Sequence, residues 1–230
     1  IEVLHDINLE VKPNSVFAIV GESGSGKSTI AKLMAGFFDA DDGRIYFGNQ
    51  DVKSIPTSQL MKHVAYVAQD NFLFDTSIRE NLKIAKADAT DEEIQAALKA
   101  ANCLELIERL PEGLNSNAGD CGKFLSGGER QRITLARAML ADAQCIILDE
   151  ATAYADVENE AKIQEALSRL MKDKTLIVVA HRLNTIVGAD QIMVLDHGTI
   201  NSIGTHKELI QNSSVYQKLW QSYSGKEVVE

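Results

Sequence analysis

The chain has 230 residues, of which 45% are hydrophobic and 24% are charged, and its formal net charge is -10. These proportions are ordinary for a globular protein and give one domain, or one domain with lobes. The acidic balance argues against a nucleic-acid-binding surface, because such surfaces need a basic face. No apolar run reaches the roughly 18 residues that a membrane-spanning helix needs.

The three cysteines are odd in number and lack the C-x-x-C spacing of zinc and redox sites. This favours reduced thiols in a cytosolic protein over a zinc site or a disulfide framework. The chain begins at Ile1 inside a predicted strand and shows no signal peptide. We therefore expect it to be a piece of a longer polypeptide.

Residues 1–20 predict a strand, a turn at 12–15 and a second strand, 16–20. Turn signals at 41–43 and 48–49 flank another short predicted strand, 44–47. Short hairpin-like elements of this kind predict an antiparallel sheet beside the main core.

A glycine-rich loop follows the second predicted strand and precedes a helix that is predicted to end at Gly36. The loop fits G-x-x-x-x-G-K-[ST] at every fixed position. Its residues and the first helical turn, hereafter the phosphate loop, are Gly21, Glu22, Ser23, Gly24, Ser25, Gly26, Lys27, Ser28 and Thr29.

The chemistry of this loop is that of an anion site. Glycines allow backbone amides to turn towards phosphate oxygens, and the helix start adds partial positive charge. Lys27 is expected to reach the β- and γ-phosphates, and the Ser28 hydroxyl is expected to bind Mg²⁺. A merely flexible Gly/Ser loop would not need the strand before it and the helix after it. The sequence therefore predicts binding of a nucleoside triphosphate.

A short helix, 57–61, and a strand, 64–68, come next, and the strand ends at Gln69. From about residue 70 the pattern is helical, with Thr76 as the predicted cap of a helix over 77–84. Thr90 and Glu93 form a predicted capping box before an amphipathic stretch, 94–110, whose apolar stripe indicates core. Residues 111–124 are glycine-containing and loop-like.

A second phosphate-facing helix start is predicted at Ser126, Gly127 and Gly128, which open a helix through Leu140. The economical explanation for two such starts in one chain is a dimer in which each protomer lends one to the other's nucleotide.

The buried strand 144–148 delivers two adjacent carboxylates, Asp149 and Glu150. Carboxyl ends of strands are where open α/β sheets bind ligands. Beside a phosphate loop, Asp149 is expected to hold Mg²⁺ through water, and Glu150 to polarise the attacking water. By itself the pair is equally consistent with an acidic turn.

The remaining elements alternate between helix and strand. This alternation predicts a mostly parallel sheet with helices on both faces, an α/β fold. They are a helix 157–171, strands 175–180, 191–195 and 199–203, and a final helical region from Thr205 to Trp220.

The motifs together resemble the nucleotide-binding domain of an ABC (ATP-binding cassette) transporter over essentially the whole chain. Gln69 matches the family's glutamine loop, His181 its switch histidine and Asp156 the aspartate of its D-loop. The resemblance implies catalytic roles for Glu150, His181 and Gln69, with Gln69 also near Mg²⁺. It also implies contacts across a dimer from 126–128 and Asp156. A histidine without this context would more often be structural.

The implied fold is a P-loop NTPase core with an N-terminal antiparallel β subdomain and an inserted helical subdomain. One ATPase domain would span 1–230, with 1–69 and 144–230 as the core and about 70–143 as the helical lobe. The resemblance implies Mg-dependent ATP hydrolysis coupled to transport, a second nucleotide-binding domain and a transmembrane domain, which we expect in the same polypeptide. It places the domain at the cytoplasmic face of a cell membrane.

The segment 66–81 is similar to the exporter-fold branch of the family, in which this domain follows a membrane domain. Two departures stand out: Asp120 occupies a position where glutamate is usual, and the D-loop reads Ala153-Tyr154-Ala155-Asp156. The latter form is similar to siderophore-handling members. The family's adenine-stacking aromatic is expected upstream of residue 1, since Phe17 lies in a buried strand.

Phe72 and Phe74, just after Gln69, are candidate contacts to the membrane domain, with burial in the helical lobe as the alternative.

The second candidate function is a soluble ABC-type ATPase of DNA repair or translation. Repair members of the condensin-like kind need a long coiled coil that this sequence lacks, and the translation factors carry two cassettes. A P-loop kinase is a third possibility, but its chemistry does not require the segment 125–129.

Overall fold

The computed structural model describes residues 3–149, 157–170, 173–180 and 183–224. The predicted Glu150, His181 and Asp156, with the rest of the D-loop, lie outside the described residues. In the described part of the chain, no helix is long and apolar enough to cross a membrane.

The strands of the main sheet agree with their predicted bounds to within one residue at either end. In chain order all the strands are β1 Val16–Val20, β2 Tyr46–Phe47, β3 Gln50–Asp51, β4 Val64–Val67, β5 Cys145–Asp149, β6 Thr175–Val179, β7 Gln191–Asp196 and β8 Thr199–Gly204. The six-stranded sheet has the order β4-β5-β6-β1-β7-β8, and β2 pairs with β3 in a separate sheet.

The helices lie between these strands as the α/β pattern predicts. They are α1 Lys27–Met34, α2 Thr57–His63, α3 Ile78–Lys83, α4 Asp91–Ala100, α5 Leu104–Arg109, α6 Gly127–Ala141, α7 Val157–Leu170, α8 His206–Asn212 and α9 Ser214–Ser224.

The sheet is parallel around β1, the strand that precedes the phosphate loop. Ala18 in β1 lies opposite Val178 in β6 and Ile192 in β7, and both pairings are parallel. β7 and β8 are antiparallel across the turn at His197 and Gly198. Because β1 has strands on both sides, its apolar residues 17–20 are at most 1% exposed. The mostly parallel α/β sheet predicted from the sequence is confirmed.

The chain divides into two compact units, of which the first contains residues within 1–61, 147–150 and 175–230. Its core joins the central strands to the C-terminal helices, with Val194 and Tyr216 both fully buried. The second unit contains residues within 62–146 and 151–174. There α6 packs against α3, α4 and α7, which makes α6 the central helix of that unit.

The antiparallel β2–β3 pair confirms the predicted second sheet, but the strand predicted at the start of the chain does not form among the described residues 3–11. Asp6 adopts a left-handed backbone with φ +49°, which interrupts an extended run. The segment is attached by His5, whose amide donates to the Gly198 carbonyl at 2.8 Å.

Two predicted helix boundaries were wrong. Ser77, not Thr76, caps α3, because the Ser77 hydroxyl accepts from the Glu80 amide at 3.1 Å. The final helical region is two helices, since Ser213 leaves helical geometry between α8 and α9. Its hydroxyl accepts from the Tyr216 amide at 3.2 Å and so satisfies an amide at the start of α9.

The cysteines differ sharply in their surroundings. Cys103 and Cys145 are buried, whereas Cys121 is exposed. Burial raises the pKa of Cys103 to about 12 and that of Cys145 to about 11, so both thiols stay protonated at neutral pH.

We expect a water-soluble disulfide reagent at pH 8 to label Cys121 before Cys103 and Cys145 in the native chain, because Cys121 is exposed, although partial desolvation and the Asp120 carboxylate raise its pKa. Cys103 and Cys145 should react only as fast as the chain unfolds, and all should react at once in denaturant. Mass spectrometry of the labelled peptides measures this. Rapid native labelling of Cys103 would contradict the packing of the second unit.

Candidate phosphate-binding site

Lys27, the first residue of α1, is folded into the loop that precedes it. Lys27 is only 4% exposed. Its ammonium donates to the carbonyls of Gly21 at 3.0 Å and Glu22 at 2.8 Å. A buried ammonium is costly unless it is hydrogen-bonded, and these carbonyls supply that compensation. The loop therefore carries a fixed positive charge at its centre.

The start of α1 is suited to an anion. Gly26, its N-cap, has φ +102° and no side chain caps the helix. The backbone conformation favours glycine here, and a Cβ would in addition lie 2.7 Å from Leu4 Cδ2 and make that side chain shift. The Ser25 hydroxyl is buried and has no hydrogen-bond partner. An uncapped helix start and an unsatisfied buried hydroxyl are groups that phosphate oxygens can satisfy.

The groups expected to hold Mg²⁺ lie together. The Ser28 hydroxyl donates to Asp149 Oδ1 at 3.0 Å, and Asp149 is 4% exposed at the end of β5. The described residues contain no cluster of three or more His, Cys, Asp or Glu side chains for a metal. One hydroxyl and one carboxylate fit Mg²⁺, which keeps several waters and is completed by substrate phosphates.

The second predicted helix start is a capping box at α6 in the second unit. The Ser126 hydroxyl accepts from the Glu129 amide at 3.3 Å, and the Ser126 amide donates to Glu129 Oε2 at 2.8 Å. The Ser126 side chain also hydrogen-bonds the Glu129 carboxylate, so its hydroxyl is engaged within the capping box. Gly128 is buried, so close approach is confined to Ser126 and Gly127.

Gln69 lies beyond β4 in a segment bonded to α6. The Asn71 side-chain amide donates to the Gln69 carbonyl at 3.2 Å, and the Thr134 hydroxyl donates to Asn71 Oδ1 at 3.0 Å. Asn71 is 6% exposed, and its backbone is left-handed with φ +46°. Its buried side chain forms the link between the glutamine segment and α6. The glutamine segment is thereby fixed to α6.

Phe72 and Phe74 are exposed, which decides against their burial in the helical lobe. Their exposed fractions are 44% and 50%, and the rings meet edge to face at 4.9 Å. The loop beneath them is held by polar side chains: Asn81 Oδ1 accepts from the Phe74 amide at 2.8 Å and from Arg137 at 3.0 Å. Sequence reasoning missed the Asn81–Arg137 pair, because nothing local links residues 56 apart.

The structure therefore brings Lys27, Ser28 and Asp149 together within the first unit. Gln69 and 126–128 belong to the second unit. Residues 126–128 form the start of α6, as predicted.

Comparison with known proteins supports the same identification. The family model described as ABC transporter matches residues 4–153. The mycobactin import ATP-binding/permease protein IrtA of Mycolicibacterium smegmatis is 47% identical over 222 residues, covering 96% of this chain and 26% of that protein. The putative multidrug export ATP-binding/permease protein YgaD of Bacillus subtilis is 47% identical over 218 residues, which cover 95% of this chain and 38% of that protein.

Among solved structures, a bacterial Atm1-family ABC exporter with ATP bound superposes with a TM-score of 0.92 at 36% identity. The match covers 96% of this chain and 39% of that exporter chain. The chain thus spans between about a quarter and two fifths of the length of these relatives. A family model covering more than half of the chain, together with this fold, establishes that the chain belongs to the ABC transporter family as an ATP-binding, ATP-hydrolysing domain.

Proposed function

We propose that this domain is the ATP-driven motor of a membrane transporter, and that it works as a dimer around two ATP molecules. The observation that carries the proposal is the Lys27–Ser28–Asp149 arrangement, in which a buried ammonium and a metal-binding pair meet at one uncapped helix start. These are the groups that phosphoryl chemistry requires, because its catalysis is mostly positioning and charge stabilisation.

Each residue of the phosphate loop has a task in this proposal. Backbone amides of 21–26 and the start of α1 hold the phosphates, and Lys27 exchanges its contacts with Gly21 and Glu22 for the β- and γ-phosphates. Ser28 and Asp149 hold Mg²⁺, Asp149 through water, with Gln69 completing the set. The bound ion neutralises charge that develops on the phosphates.

Hydrolysis needs a group that polarises the attacking water and one that contacts the γ-phosphate. We assign these tasks to Glu150 and His181, which follow β5 and β6 in sequence. The support is the family resemblance together with the position of Asp149, the residue before Glu150, at the ligand-binding end of β5.

The composite site joins the two helix starts. Ser126, Gly127 and Gly128 of one protomer are proposed to close over the γ-phosphate held by the other protomer's phosphate loop, with Asp156 at the same interface. Support comes from the exposed position of Ser126 and the positive end of the 15-residue α6. ATP then lies within the dimer interface, and its hydrolysis loosens that interface.

The transport partner is proposed to be a membrane domain in the same polypeptide, at the cytoplasmic face of a cell membrane. The relatives described above are ATP-binding/permease proteins, one named for import and one for export. We assign the exposed Phe72–Phe74 pair to contact with that domain, since Gln69, the residue proposed to sense the γ-phosphate, lies three residues before Phe72. A role in DNA repair or translation finds no support among these relatives.

We also propose that 1–230 acts as one ATPase domain, with 1–69 and 144–230 as its core and about 70–143 as its helical lobe. Two compact units, one holding Lys27 and the other α6, support a division into two parts, although residues 62–69 and 151–174, which the proposal gives to the core, belong to the second unit.

Replacing Lys27 with alanine removes charge-assisted contacts worth about 1.5–3 kcal/mol, or roughly a 10- to 150-fold loss of affinity for Mg-ATP. Equilibrium titration with a fluorescent ATP analogue measures the change. Lys32→Ala, on the same helix and half-buried, is the matched control and should bind normally. Equal affinities of the two variants would refute the site.

A dimerisation experiment tests the composite site. Glu150→Gln keeps shape and hydrogen bonding but loses the carboxylate that polarises water, so this variant should retain ATP and accumulate as a dimer with Mg-ATP. Adding Ser126→Arg places bulk against the γ-phosphate and should abolish the dimer while nucleotide still binds. Sedimentation velocity with and without Mg-ATP distinguishes these states. A Glu150→Gln chain that is saturated with ATP and stays monomeric would contradict the proposal.

A further inference from the structure

Among the described residues, three helices start with the same capping box, in which a hydroxyl accepts from the amide three residues later and the glutamate there accepts from the cap amide. The pairs are Thr90–Glu93 at α4, Ser126–Glu129 at α6 and Thr205–Glu208 at α8.

Two of these glutamates also bind a cation. Lys86 Nζ contacts Glu93 Oε1 at 2.5 Å, and Arg109 Nη2 contacts Glu129 Oε1. Glu208 has no basic partner in the part of the chain that the structure describes, yet its box is complete. The cation is therefore not needed to form a capping box.

The carboxylate at α6 is fixed in its ionised form. The Glu129 side chain is 13% exposed, in contrast to 41% for Glu93. Burial raises the pKa of Glu129, but hydrogen bonds from the Ser126 amide and Arg109 outweigh burial and leave the pKa below its usual value. A full negative charge thus lies at neutral pH within one helical turn of Ser126.

This charge lies where the proposed function brings another anion. A γ-phosphate that approaches Ser126 and Gly127 meets a helix start whose positive dipole is opposed by Glu129. Without a counter-charge, the carboxylate would repel the nucleotide held by the partner protomer.

We propose that Arg109 is a positioning residue for the composite ATP site, which neutralises Glu129 so that the start of α6 can close on the γ-phosphate bound by a second copy of this chain. Arg109 is the last residue of α5 and its side chain is 67% exposed, so it contributes little to the core. The inference rests on the composite site of the proposed function.

The test compares dimer dissociation constants in Mg-ATP, measured by sedimentation in the Glu150→Gln background. Arg109→Gln should raise the constant about threefold for each site, as for a partly exposed charge contact. Because a dimer has two such sites, the expected change is about tenfold, and it should shrink in high salt. An unchanged constant overturns the inference.

Two further variants separate charge from stability. Lys86→Gln removes the cation from the matching box at α4 and should leave the dimer unchanged; an equal weakening would show a structural effect and overturn the inference. Glu129→Gln keeps the capping box and removes the charge, so Arg109→Gln should cost nothing in that background. A full tenfold loss there would equally overturn it.

Failure of the inference differs from failure of the proposed function. If the parent Glu150→Gln chain dimerises with ATP but Arg109→Gln has no effect, only the role of Arg109 is lost. If the parent chain binds ATP and remains monomeric, the composite site and the role of Arg109 are both wrong.

Discussion

The ammonium of Lys27, held by two carbonyls of its own loop, is the interaction on which the site depends. It gives the loop its positive charge and ties the carbonyls of Gly21 and Glu22 to the first residue of α1. The loop can take this form because β1 is fixed between two parallel strands and ends directly beneath it. The same sheet delivers Asp149 to Ser28, so the pair proposed to hold Mg²⁺ is placed by strand order rather than by sequence proximity.

The helical unit has an equivalent centre in α6. This helix begins with Ser126 and also carries Thr134 and Arg137, which bond the segment after Gln69 and the loop with the exposed phenylalanines. The same helix therefore carries the start that we propose for a partner's nucleotide and the side chains that bond the loop proposed to contact a membrane domain.

Local patterns explain what the sequence could predict. Apolar runs such as 16–20 and 175–180 identify buried strands, and the glycines and Lys27 identify the phosphate loop, because both signals lie within a few neighbouring residues. The capping box at Thr90 was predicted for the same reason.

The features that sequence reasoning missed depend on backbone conformation or on distant partners. The initial strand failed to form because Asp6 turns into a left-handed conformation, which a single aspartate does not signal. The Asn81–Arg137 and Arg109–Glu129 pairs join residues 56 and 20 apart, and only the fold brings them together. The signal available in retrospect was a polar Asn81 within an otherwise apolar helix face.

The concentration dependence of ATP hydrolysis by the unmodified chain tests the composite site most directly. At constant saturating Mg-ATP, a site completed by a second copy predicts that turnover per chain rises with chain concentration and then levels off as dimers form. Turnover per chain that stays constant from well below to well above micromolar concentration would show that one chain hydrolyses ATP alone, and would contradict the account.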